Sequence, residues 1–107
     1  MQVSLRFDIY LPLRYNDKKL IEKSKFLDVF NELTGLFGGS SSEENSIMGS
    51  WIDPKSGIRY DDENRVYHVI CDNTEDNIQK MQDYKENLIG IFQQEEIMMY
   101  YIHIYRF

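Results

Sequence analysis

The chain has little cysteine, proline, tryptophan or histidine: one, two, one and two residues among 107. A lone Cys71 closes no internal disulfide, and its apolar strand context without a basic neighbour reads as a buried structural thiol. No Cys-x-x-Cys or His-x-His spacing occurs, so neither a metal nor a cofactor is expected. Membrane-length apolar runs are missing too: a spanning helix needs about 20 residues, and Arg6, Asp8 and His103 interrupt the longest candidates. The opening stretch MQVSLRFDIYLPL has no basic region followed by a long apolar block, and a cytoplasmic location is the expectation. Nor is there a phosphate cradle, because Gly38-Gly39 closes a predicted helix whereas such loops open one.

Positive charge is scarce and scattered. Eighteen acids against twelve bases give a net charge of −6, which repels a phosphate backbone. The nearest basic run, Lys18-Lys19 with Lys23 and Lys25, is broken by Glu22 and Asp28 and reads as a solvated helix face. No nucleic-acid partner is expected, and no membrane partner either. The acids are dispersed as well, which argues against a mimic of nucleic acid.

What is present is a globular composition, 42% hydrophobic and 28% charged, with length for one domain over residues 1–107. Aromatics reach 14%, eight of them Tyr, a type that joins a large apolar face to a polar tip and suits interfaces and pockets.

Val3, Leu5, Phe7, Ile9 and Leu11 alternate with Ser4, Arg6, Asp8 and Tyr10, which predicts a half-buried strand over Val3–Leu11. Pro12 ends it, and Asn16-Asp17 turns into a helix over Lys18–Phe37, where Phe26, Phe30, Leu33 and Phe37 mark the buried stripe, widened by Ile21, Leu27 and Val29. Gly38-Gly39 stops that helix, and residues 40–45 form a polar loop. A second strand follows at Ser46–Ile52, then an Asp53–Gly57 turn, and a third strand at Arg65–Asp72. Asp72 with Glu75 fits a capping box, Thr74 competing with it, for a helix whose stripe is Ile78, Met81, Leu88 and Phe92. Ile97–Phe107 closes the chain as a strand with apolar or aromatic residues on both faces. This order predicts an α+β, ferredoxin-like βαββαβ two-layer sandwich: an antiparallel sheet of order 4-1-3-2, two helices on one face and the other face bare.

Leu11-Pro12-Leu13 with Asn16, Phe37-Gly38-Gly39, Gly49-Ser50-Trp51, Asp61-Asp62 and Phe92-Gln93-Gln94-Glu95 follow one another along nearly the whole chain. This succession resembles an uncharacterised family of small bacterial ferredoxin-like proteins. The resemblance implies the fold and carries no activity. His68 departs from it, standing where the family would place an acidic residue in the third strand.

Several residues stand out as candidates for a pocket or an interface. Arg6, Asp8 and Tyr10 form the polar face of a central strand, and Tyr101, His103 and Tyr105 of the last strand are expected to meet them there. His68 and His103, on strands parallel to each other, would both face the bare side. Trp51, with Gly49 on the same strand face, would form a pocket wall or cap the core. Asp61, Asp62 and Glu63 read as solvated residues at a strand start rather than paired catalytic acids. The favoured function is a non-catalytic dimeric interaction or ligand-binding module that self-associates through the open sheet face, with a small ligand as a further partner. The alternative is a cofactor-independent enzyme of the dimeric α+β-barrel type, in which His68, Asp8 or Arg6 handles protons. No catalytic residue is assigned by spacing.

Overall fold

In the computed structural model, which describes residues 1–43 and 45–107, the chain runs β1 (Gln2–Pro12), α1 (Lys23–Phe37), β2 (Ser41–Ser42), β3 (Ile47–Ile52), β4 (Arg59–Asp72), α2 (Glu75–Phe92) and β5 (Met99–Arg106). Every strand pair is antiparallel. The alternation of β1 sets the layers: Leu5, Phe7, Ile9 and Leu11 are buried beneath both helices, joined by Tyr67, Val69 and Cys71 of β4. From above, α1 supplies Phe26, Val29 and Leu33, and α2 supplies Met81, Tyr84, Leu88 and Phe92. The Tyr67 hydroxyl donates to the Phe26 carbonyl at 2.9 Å, tying α1 to the sheet. Burial pushes that phenol up to about 12. Burial likewise raises the Cys71 thiol, consistent with an inert structural role.

The sheet has five strands rather than the four of a plain 4-1-3-2 arrangement. Its order is β2-β4-β1-β5, with β3 paired to β4 off that path. The reason is the length of β4. Its inner part, Asn64–Asp72, pairs with β1, and its outer part, Arg59–Asn64, pairs with β3. The third strand therefore starts six residues before the expected Arg65. The run Asp61-Asp62-Glu63-Asn64 has turn-like composition, but it is held in the ladder by β3 opposite it. A turn with Gly57 at φ 72° and the Asp53 carboxylate accepting from the Lys55 amide closes this β3–β4 arm. In the polar loop expected over residues 40–45, Ser41–Ser42 pairs with β4 as β2, and residue 44 lies outside the described residues.

Two helix expectations also shift. Helix α1 begins at Lys23, not Lys18, because residues 13–22 form an irregular segment with an Arg14–Leu20 bridge, Lys18 at φ 75° and the Asp17 carboxylate accepting from the Lys19 amide. Its buried stripe is Phe26, Val29 and Leu33, whereas Phe30 and Leu27 face outward. Thr74, not Asp72, caps α2, accepting from the Asn77 amide at 3.2 Å. No described helix is long and apolar enough to cross a membrane.

Candidate functional site

The face of the sheet opposite the helices is not evenly polar. At its centre stands Asp8, 5% exposed, with cross-strand neighbours His68 on β4 and Tyr100 on β5. The Asp8 Oδ1 atom accepts from Arg6 Nε at 2.9 Å and from His68 Nδ1 at 2.7 Å. The other ring nitrogen of His68 is 3.1 Å from Glu43 Oε1. β2 makes that last contact possible: Ser41 pairs with His68, and the Glu43 amide bonds the Val66 carbonyl at 3.1 Å, which hangs Glu43 over the histidine ring. Beyond Asp8 the Tyr10 and Tyr100 hydroxyls meet at 3.2 Å.

Burial alone would raise the Asp8 carboxyl, but hydrogen bonds from His68, Tyr100 and Arg6 and the guanidinium charge outweigh it and hold the group below its ordinary value. Asp8 is thus a buried, ionised floor. The Tyr100 phenol moves the other way, raised by its bond to Tyr10 and by the Asp8 carboxylate. At His68 the 2.7 Å contact is satisfied when Nδ1 carries the proton and donates to Asp8. Arg6 Nη2, which can only donate, also lies 3.2 Å from Nδ1, and in the tautomer that accepts from it the Nε2–H donates to Glu43 at 3.1 Å. An imidazole between two carboxylates, one buried and one half-exposed, can pass a proton to a bound molecule or fix its polar group. Among the described residues no buried side-chain nitrogen or oxygen lacks a partner, and no cluster of three His, Cys, Asp or Glu could hold a metal ion.

Register separates the candidate residues. Arg6, Asp8, Tyr10 and His68 share the bare face. Tyr101, His103 and Tyr105 do not: they pair with Phe7, Leu5 and Val3 and so point to the helix side. The expectation that they meet Arg6 and Asp8, and that both histidines face the bare side, is corrected by this one-residue phase. Tyr100, Ile102 and Ile104 occupy the places assigned to them. Their phase was hidden because Met98-Met99-Tyr100-Tyr101 is apolar or aromatic at every position. Trp51 lies on the bare-face side of the arm, stacked on Tyr60 with centroids 5.0 Å apart. Eight residues of strand separate Tyr60 from His68, about 26 Å at the usual rise, so Trp51 is not a wall of the Asp8 cluster of its own chain. Asp61, Asp62 and Glu63 lie within β4 and not at its start, with Asp61 bonded to Arg59 at 2.8 Å.

Glu43 and Tyr100 are the members of the cluster that sequence reasoning missed. Glu43 sits in a polar loop with nothing in its spacing to mark it, and Tyr100 sits in a strand whose alternation carries no contrast. Two open clefts are present. One, of about 440 Å³, is lined by Tyr15, Glu22, Lys25 and Gln93; the other, of about 400 Å³, lies between α2 and β5 beside Phe7, Met81 and Tyr101 and shares Tyr100 with the cluster. Neither includes Asp8, His68 or Trp51.

An antiparallel sheet with two helices on one face and a buried polar cluster on the other defines the class: a small α+β sandwich. Among solved structures it is similar to a phage SAM lyase in complex with S-methyl-5'-thioadenosine, with a TM-score of 0.72 and 17% identity over 92% of this chain and 80% of that chain. A phage SAM lyase in its apo state gives a TM-score of 0.67 and 17% identity over 95% of this chain and 80% of that chain. At this identity the likeness shows the fold. No family model matches the chain, and no curated protein matches it.

Proposed function

We propose that the chain is a small-molecule-binding protein whose site is the bare-face cluster of Arg6, Asp8, Tyr10, Glu43, His68 and Tyr100, and that its ligand is a nucleoside with a sulfonium or thioether side chain. The observation that carries this reading is Asp8: a carboxylate 5% exposed, on the sheet face that no helix covers, accepting from Arg6 at 2.9 Å and His68 at 2.7 Å and held below its ordinary value. A core needs no such group, whereas a site that orients a cationic or polar ligand does. Two carboxylates suit a sulfonium, and the Tyr10 and Tyr100 rings offer a surface for a base. The likeness to a lyase that binds S-methyl-5'-thioadenosine supports the ligand class. Within this reading the fold is a ferredoxin-like sandwich extended by β2 and the β3–β4 arm, the Leu-Pro-Leu to Phe-x-Gln-acidic succession is its family mark, and the protein works in the cytoplasm.

Thermal unfolding with S-adenosylmethionine and with S-methyl-5'-thioadenosine tests it. A ligand at one hundred times its Kd stabilises by about 2.7 kcal/mol, and Glu43→Gln and Asp8→Asn should reduce that shift. No shift by either nucleoside at millimolar concentration overturns the ligand class. Following free S-methyl-5'-thioadenosine in the same mixtures separates binding from turnover, the enzyme alternative in which His68 and Glu43 move the proton.

A second reading, self-association through the bare face, is favoured by the rim of the cluster, where Ile70 and Ile102 stand 44% and 48% exposed. Light scattering on Ile70→Lys decides it: a dimer that dissociates supports face contact, and an unchanged mass removes it.

A further inference from the structure

Among the described residues β5 is the long free edge of the sheet, bonded on one side only. The bond from the Tyr10 amide to the Met98 carbonyl, 3.0 Å, sets the phase of its ladder with β1. Tyr100, Ile102, Ile104 and Arg106 therefore exchange bonds with β1, and Met99, Tyr101, His103 and Tyr105 turn their N–H and C=O groups away from the sheet. The opposite phase on the other side of β1, where the Leu13 amide bonds the Glu63 carbonyl at 3.0 Å, is what a central antiparallel strand requires.

Natural edge strands are blunted by lysine, proline, acidic residues, bulges or brevity. Between Ile97 and Phe107 there is no Lys, no Pro, no Asp and no Glu, and the β1–β5 register runs without interruption from Gln2–Arg106 to Ile9–Met99. The other edges are managed: β2 has two residues, and β3 lies against the acids Asp61, Asp62 and Glu63.

We propose that β5 pairs antiparallel with β5 of a second copy about a two-fold axis through Ile102, joining two sheets into one. In this register Met99 meets Tyr105 and Tyr101 meets His103, so every outward group of the strand finds a partner, about eight ladder bonds in all. Ile102 faces its mate on the bare side and Tyr100 stands beside Ile104, pairs of the β-branched and aromatic kind that stabilise sheets. Charge fits as well. The two Arg106 side chains fall at opposite ends, each beside Met98 and two residues from Glu96 of the other copy. The contact uses the edge and leaves Asp8, His68 and Glu43 open on the face, so it stands whether or not a nucleoside binds there.

Light scattering on the wild type and on Tyr101→Pro and His103→Pro tests the pairing. Each proline removes one outward donor without touching the β1 ladder. The expected result is twice the 12.8 kDa chain mass for the wild type, a single-chain mass for both proline variants with their cooperative melts retained, and an undisturbed dimer for Ile70→Lys. A monomeric wild type, a dimeric proline variant, or dissociation by Ile70→Lys overturns the edge contact. So does a mass that keeps growing with concentration, the mark of head-to-tail pairing between β5 and β3. Amide exchange on the wild type decides the matter if the proline variants fail to fold. Protection at Met99, Tyr101, His103 and Tyr105 that disappears on dilution supports the pairing, and fast exchange there at every concentration sinks it.

Discussion

The two faces of the sheet are made by the same strands and obey different physics. On the covered face, Leu5, Ile9 and Leu11 lie fully buried under two helices, and stability there comes from apolar area and close packing. On the bare face, one residue along each strand, a carboxylate is buried among hydrogen bonds while isoleucines beside it stay half in water. A sheet can hide a polar group without a covering layer when neighbouring side chains supply all its donors. What holds the bare face is hydrogen bonding and charge around Asp8 and not buried apolar area.

Truncation should expose that contrast most strongly. Ile9→Ala is expected to cost about 2–5 kcal/mol in urea unfolding, whereas Ile70→Ala and Ile102→Ala on the bare face should stay within about 0.5 kcal/mol. A large loss at Ile70 would mean that something covers the second face in solution.

Next in size is the cluster itself. Asp8→Ala should cost about 1–3 kcal/mol, because Arg6 and His68 lose a shared acceptor. The pH dependence has a definite sign. The folded-state value of Asp8 lies below its ordinary 3.8, so its contribution is fully present above that value and is lost as the pH falls through the depressed one. Asp8→Asn should flatten the acid limb of the stability curve, and an unchanged limb would show that the carboxylate is not held by its neighbours.

On the covered face, Tyr67→Phe should cost about 1 kcal/mol through the lost bond to the Phe26 carbonyl. It should also remove an alkaline limb. The phenol titrates at about 12 in the fold against 10.0 ordinarily, so its contribution is present below pH 10 and fades as the pH rises from 10 towards 12.

The covered face was nearly all legible in the sequence because alternation in β1 and the helical stripes carry the burial signal directly. Even there Phe30 and Val29 exchanged roles: a stripe at steps of four, three and four fits two neighbouring helix faces, and packing chose the one with Val29. The bare face was half legible. Arg6, Asp8, Tyr10 and His68 follow from alternation. In β5, where both faces are apolar or aromatic, alternation has no contrast, so the sequence points to Tyr101 and His103 where the fold places Tyr100 and Ile102. Glu43 depends on the pairing of β2 with β4, a contact between residues far apart in sequence that no local pattern encodes. The acids of β4 misled for the same reason, since their strand state comes from β3 opposite them.

The smallest expected effect lies where the bare face runs out along the arm. Trp51 and Tyr60 stack there, yet Trp51 is 53% exposed and only β3 and the outer half of β4 hold the arm together. A two-stranded ribbon is marginal by itself, so the arm draws its order from β4, which continues into the core. Removing the indole should therefore loosen the arm without unfolding the sheet. Trp51→Ala is expected to shift the global unfolding midpoint by less than about 1 kcal/mol, the scale of one cross-strand pair, while amides of residues 47–52 exchange faster and those of Leu5–Ile9 do not change. Equal acceleration in both sets would mean that arm and sheet open as one unit, and that the stack supports the Asp8 cluster from a distance.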